Sequence, residues 1–125
     1  MTINEAITKI DNVKPNAYST DDKIEWLSQL DGLVYQELIK THNDFEETTE
    51  NKFTGYTSED GDEEMLIPFP YENVYIEWLT AQIDLTNADI GRYNNSVMSF
   101  YNDYNQFANW YTRNHMPTQK LGWRL

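Results

Sequence analysis

Apolar residues recur with a helical period toward both ends of the chain and give way to a polar, acidic stretch between them. Ile3, Ala6, Ile7 and Ile10 share one side of a segment that Thr2 opens as an N-cap, with Glu5 completing a capping box. Lys14-Pro15-Asn16 ends that helix, since proline lacks the amide a helix interior needs. A second helix starts at Ser19 or Thr20, with Asp21 and Asp22 in its first turn, where orphan amides favour acids. Ile24, Leu27, Leu30, Val34 and Leu38 form its stripe, which Trp26, Leu33 and Ile39 widen. Gly32 weakens the middle by about 1 kcal/mol relative to alanine and is expected to permit a close helix crossing. Asp31 beside it is either exposed or paired.

Residues 43–64 carry no such period and read as an acidic, flexible loop punctuated by Gly55 and Gly61. Two short extended pieces, Phe53 to Tyr56 and Met65 to Ile67, are candidates to pair as a β-ribbon. Phe69-Pro70 ends the extended stretch, because proline restricts the residue before it and suits a first helical turn.

From Tyr71 to about Asn114 a seam runs through Ile76, Leu79, Ile83, Thr86, Ile90, Tyr93, Val97, Phe100, Tyr104, Phe107 and Tyr111 in steps of four and three. Gly91 and Asn94-Asn95-Ser96 offer an interruption and a new N-cap, so two helices are expected, with one continuous helix as the alternative. The expected fold is a single, mainly α domain over residues 1–125, with four or so helices. Its expected core is Ile24, Leu27, Leu30, Val34, Leu38, Ile76, Leu79, Ile83, Ile90, Val97, Phe100, Tyr104, Phe107 and Trp110. At 125 residues the core closes without staples.

Charge changes the picture of partners. Twenty-one acids against 9 Lys plus Arg give a net charge of −12, the wrong sign for wrapping a phosphate backbone. Nine of the acids fall within 44–64, whereas Lys120 and Arg124 follow His115 without an acid, so the chain has two electrical poles. These poles are either solvated or complementary contacts between subunits. The interface candidates are Trp26, Glu59, Asp60, Asp62, Glu63, Glu64, Arg113, Lys120, Trp123 and Arg124. The first residues, MTINEAITKID, read as neither signal peptide nor membrane anchor.

The search for chemistry is nearly empty. Without cysteine there is no disulfide, thiolate nucleophile or cysteine-ligated metal centre. His42 and His115 are distant and read as polar positions at helix ends. Glu59 to Glu64 lacks the spacing and final glutamate of an EF-hand, and no phosphate-cradling or nucleophile-elbow motif occurs. The chain is read as non-enzymatic, with no catalytic, cofactor or metal residue assigned.

Trp26-Leu27-Ser28-Gln29-Leu30-Asp31-Gly32, Ile67-Pro68-Phe69-Pro70-Tyr71, Tyr93-Asn94-Asn95-Ser96 and Phe107-Ala108-Asn109-Trp110-Tyr111 resemble small phage and prophage proteins of low-GC Gram-positive bacteria. Through them the chain resembles, over nearly its whole length, the head–tail connector or head-completion adaptor family of tailed phages. The resemblance implies a small helical subunit of a homo-oligomeric ring between portal and tail-side or stopper proteins. DNA would pass through that ring without sequence-specific binding. It further implies a virion head–tail junction location, with assembly in the host cytoplasm and no membrane. The alternative class is a monomeric prophage protein-binding or regulatory module without catalysis.

Overall fold

The computed structural model describes residues 1–42 and 52–114. Helix α1 spans Ile3–Val13 and α2 spans Thr20–Val34; a π-helical turn, Tyr35–Ile39, carries α2 into the short α3, Lys40–His42. A 3-10 turn, Ser58–Asp60, precedes the two C-terminal helices, α4 (Asn73–Thr86) and α5 (Ile90–Asn114). The domain is mainly α, as the periodicity predicts, and no strand forms among the described residues.

Local chemistry sets the first boundaries. The Glu5 amide donates to Thr2 Oγ1 at 3.1 Å while Glu5 Oε1 accepts from the Thr2 amide at 2.8 Å, the reciprocal capping box. Ser19, rather than Thr20, caps α2 by accepting from the Asp22 amide at 3.1 Å. Ile3, Ala6, Ile7 and Ile10 are buried from α1, and Ile24, Leu27, Leu30, Val34 and Leu38 from α2 and its π turn. Each fully buried aliphatic side chain of this kind contributes roughly 1.5–3 kcal/mol.

Three features differ from the sequence expectation. The break in the C-terminal half falls at residues 87–89, several residues before Asn94-Asn95-Ser96. Ala88 sits at a φ of +60°, which ends α4, and Asp89 restarts the helix by accepting the Arg92 amide on its side chain at 3.2 Å. That reset shifts the seam. Ile90 is 57% exposed in the first turn of α5 and Val97 is only half-buried, so neither belongs to the core. The buried face of α5 is Phe100, Phe107 and Tyr111, with Tyr104 and Trp110 packed partly buried against it.

The second difference lies at Gly32, where a Cβ would meet nothing within 4 Å; no close crossing depends on it. The third is the absent ribbon. Tyr56 instead hangs on α2, its amide donating to Ser28 Oγ at 2.8 Å. Met65 pairs by its amide with the Met1 carbonyl at 3.0 Å. Each piece finds its backbone partners on a helix or at the start of the chain, so neither needs the other.

Helix α5 packs along α4 and reaches the π turn, while α4 packs on α1 and α2. Trp78 meets Phe100 at a tilt, 5.1 Å between centroids, and Tyr71 meets Trp110 at 5.4 Å and Phe107 at 5.8 Å. Buried Asp84 ties three elements together: it pairs with Lys14 Nζ at 2.8 Å and accepts from Ser96 Oγ at 2.9 Å. Ser96, expected as a cap, is thus a rivet between α5 and α4.

Candidate functional site

The described half of the acidic segment is built onto α1. Thr57 and Asp60 form a capping box around the 3-10 turn, Asp60 Oδ2 accepting the Thr57 amide at 2.7 Å. Next, Gly61 offers its carbonyl to the Asn4 amide at 2.9 Å, and Glu63 offers its own to the Ile3 amide at 3.3 Å. Orphan donors at the first turn of α1 are satisfied in this way by the acidic segment. A Cβ at Gly61 would stand 2.6 Å from the end of the exposed Asn4 side chain, which would have to swing aside. Thr2 and Glu64 make an isolated antiparallel bridge at the same place.

This docking decides what each acid presents. Asp60 is turned inward to its own cap, Asp62 accepts from Asn4 Nδ2 at 3.2 Å, and Glu64 lies 2.7 Å from the Met1 amino group, which also bonds Glu72. Glu59, Asp62, Glu63 and Glu64 remain exposed, a carboxylate rim at the N-terminal end of α1. Acids near a helix N-terminus are favoured by its dipole, and Glu64 already meets a cation in the Met1 amino group.

The other sequence-predicted interface residues scatter. Trp26 is half-buried, edge-on to Tyr18 at 5.6 Å, with its carbonyl accepting from Trp78 Nε1 at 2.7 Å. Arg113 is exposed in the last turn of α5. Lys120, Trp123 and Arg124 lie outside the described residues, as do the acids of 44–50 and His115.

A second surface was not legible in advance. Ile90, Met98 and Tyr101 are 57%, 70% and 57% exposed along α5. At 3.6 residues per turn their row lies about 110° around the helix from the Phe100, Phe107, Tyr111 face and runs over about 16 Å of its axis. The unbroken seam places Ile90 inward; the break resets the phase, and Ile90 falls in the outward row.

The interior holds one polar node. Asp31 is fully buried. Its Oδ1 accepts from the Tyr75 hydroxyl at 2.6 Å; its Oδ2 accepts from the Leu66 amide at 3.0 Å and from the Tyr56 hydroxyl. Tyr75 in turn accepts the Ile67 amide at 2.7 Å. Burial pushes the Asp31 carboxyl above its ordinary range, against the pull of these donors, and burial beside Asp31 pushes both phenols well up. Both carboxylate oxygens accept from the fold itself, so the node joins α2, α4 and the chain between them. Among the described residues no group of three or more His, Asp or Glu is placed to hold a metal ion, and no helix is long and apolar enough to cross a membrane.

Comparison with protein-family models, with curated proteins and with solved structures finds no match.

Proposed function

We propose that this chain is a structural subunit of a head–tail connector ring, joining a phage portal to tail-side or stopper proteins and letting DNA pass. The exposed row of Ile90, Met98 and Tyr101 on α5 is the observation that carries this reading. Large apolar side chains aligned on one outward helix face suit a contact between proteins, where aromatic and methionine residues concentrate. The carboxylate rim of Glu59, Asp62, Glu63 and Glu64 supports it from the other side of the chemistry. Acids repel a phosphate backbone and suit a conduit better than a binder of DNA. The resemblance of four sequence segments to connector proteins supplies the ring and its neighbours.

A ring needs two different complementary faces on each subunit. The carboxylate rim of α1 and the basic residues Arg113, Lys120 and Arg124 are complementary in charge, and the row of α5 adds apolar contact area. Exposed ion pairs contribute only about 0.2–1 kcal/mol each, so the apolar row supplies most of the association and the charges select its orientation. Negative-stain imaging of concentrated protein, alone and with a cognate portal ring, tests the proposal. Closed rings, or decoration of the portal, are expected. Monomers that never join a portal would overturn it and leave the non-catalytic prophage binding or regulatory module, for which an open groove of about 640 Å³ along α1, lined by Met1, Asn4, Glu5, Thr8, Lys9, Asn12 and Val13, is the candidate surface.

A further inference from the structure

Helix α1 turns Ile3, Ala6, Ile7 and Ile10 into the core, and on its opposite side Asn4, Glu5, Thr8, Asn12 and Val13 border the open groove of about 640 Å³ that starts at Met1. One end of that groove is apolar and the other acidic. Val13, 61% exposed, closes the first. At the second, Asp62 bonds Asn4 at 3.2 Å and Glu64 holds the Met1 amino group, which sets the carboxylate rim against the groove. Among the described residues Glu59, Asp62 and Glu63 have no ion-pair partner. The lining contributes Lys9 and the Met1 amino group as cations, the latter already taken by Glu64 and Glu72, so acids outnumber them at this end.

The segment that follows α5 has the complementary chemistry. In residues 115–125, Lys120 and Arg124 alternate with Leu121, Trp123 and Leu125, and no acid occurs. We propose that the groove along α1 seats residues 115–125 of a second copy of this chain, with Lys120 and Arg124 against the carboxylate rim and the apolar side chains along the groove. The inference rests on the ring reading and gives its charge contact a place in the fold. It also makes the contact heterologous, because the groove belongs to one end of the sequence and its occupant to the other.

Geometry favours a neighbour's segment over the chain's own. Helix α5 ends near the rim's end of the domain, since Trp110 meets Tyr71 and the adjoining Glu72 reaches Met1. But α5 packs on α4 and α4 on α1, and the groove opens on the side of α1 turned away from the core. Each step between packed helices is about 8–10 Å, and rounding α1 adds a good part of its roughly 10–12 Å diameter. Lys120 is only six residues beyond Asn114, a reach of about 20 Å. The chain's own Lys120 falls short of the groove, whereas the tail of a neighbouring copy meets no such limit.

The chain has no cysteine, so Gln119→Cys gives a single place for a nitroxide spin label. Full chain carrying the label is mixed with isotope-labelled parent, and amide NMR intensities are read against the reduced label. The expected result is an intermolecular loss of intensity at Glu5, Thr8 and Asn12 that grows with concentration and is reversed by salt, or by Lys120→Glu with Arg124→Glu in the spin-labelled copy. Loss seen only when label and isotope share one chain, and already complete in dilute solution, would give the groove to the chain's own tail and overturn the proposal. So would the absence of any loss along α1. Sedimentation velocity and negative-stain imaging of the same mixtures separate this result from the ring reading. Association that persists while α1 stays unbroadened removes the tail contact and leaves the ring to the α5 row; broadening along α1 without closed rings supports the tail contact and removes the ring.

Discussion

The Tyr75 hydroxyl donates to Asp31 Oδ1 across 2.6 Å, joining α4 to α2 between residues 44 apart in sequence. The same hydroxyl accepts the Ile67 amide, so one phenol satisfies a buried carboxylate and a buried backbone donor at once. Tyr75→Phe strands both groups and should cost about 1–3 kcal/mol, with Asp31→Asn costing at least as much because its new amide donors face the Tyr56 hydroxyl and the Leu66 amide. Denaturant unfolding measures both. Losses below about 0.5 kcal/mol for the two variants would show that the node is wet and replaceable.

Phe107 and Trp110 separate two kinds of aromatic on α5. Phe107 is fully buried among Tyr71, Tyr104 and Tyr111, whereas Trp110 is half-buried at the edge of the same cluster. Phe107→Ala should cost about 3–5 kcal/mol and Trp110→Ala less. The order of the two unfolding midpoints is the check. A reversed order would mean that the α5 face is turned toward Trp110.

Much of this architecture is written in local pattern. Thr2 and Glu5, Ser19 with Asp21 and Asp22, and the Ile24 to Leu38 stripe each specify an element within one or two turns, and the helices and their buried faces follow. The break after α4 precedes the one the sequence pattern predicts because nothing in its residue types announces it: Ala88 holds a positive φ without being glycine or asparagine. A sequence seam continued across such a point assigns Ile90 and Val97 to the wrong side. The polar contacts were illegible for a different reason. Asp31 finds Tyr56, Leu66 and Tyr75, and Asp84 finds Lys14 and Ser96, only after the helices have docked. Distance in sequence hides those pairs.

Amide hydrogen exchange distinguishes a docked acidic segment from a free one. The sequence reads residues 43–64 as a flexible loop, while the Ile3 and Asn4 amides donate to Glu63 and Gly61 carbonyls. Helix first-turn amides without a partner exchange fast. Ile3 and Asn4 should therefore be protected from exchange. Fast exchange at both positions in the parent would mean that the rim swings away from α1.

The proposed ring rests on self-association through unlike faces, and sedimentation velocity across protein and salt concentration measures it most directly. The parent chain is predicted to associate weakly as concentration rises and to weaken with salt, as attraction between acidic and basic poles requires. Changing Met98 and Tyr101 to aspartate should abolish association while leaving the fold intact, because both side chains are exposed. Changing Arg113, Lys120 and Arg124 to glutamate should weaken it and remove the salt response. A strict monomer at every concentration, indifferent to both sets of substitutions, would contradict the account.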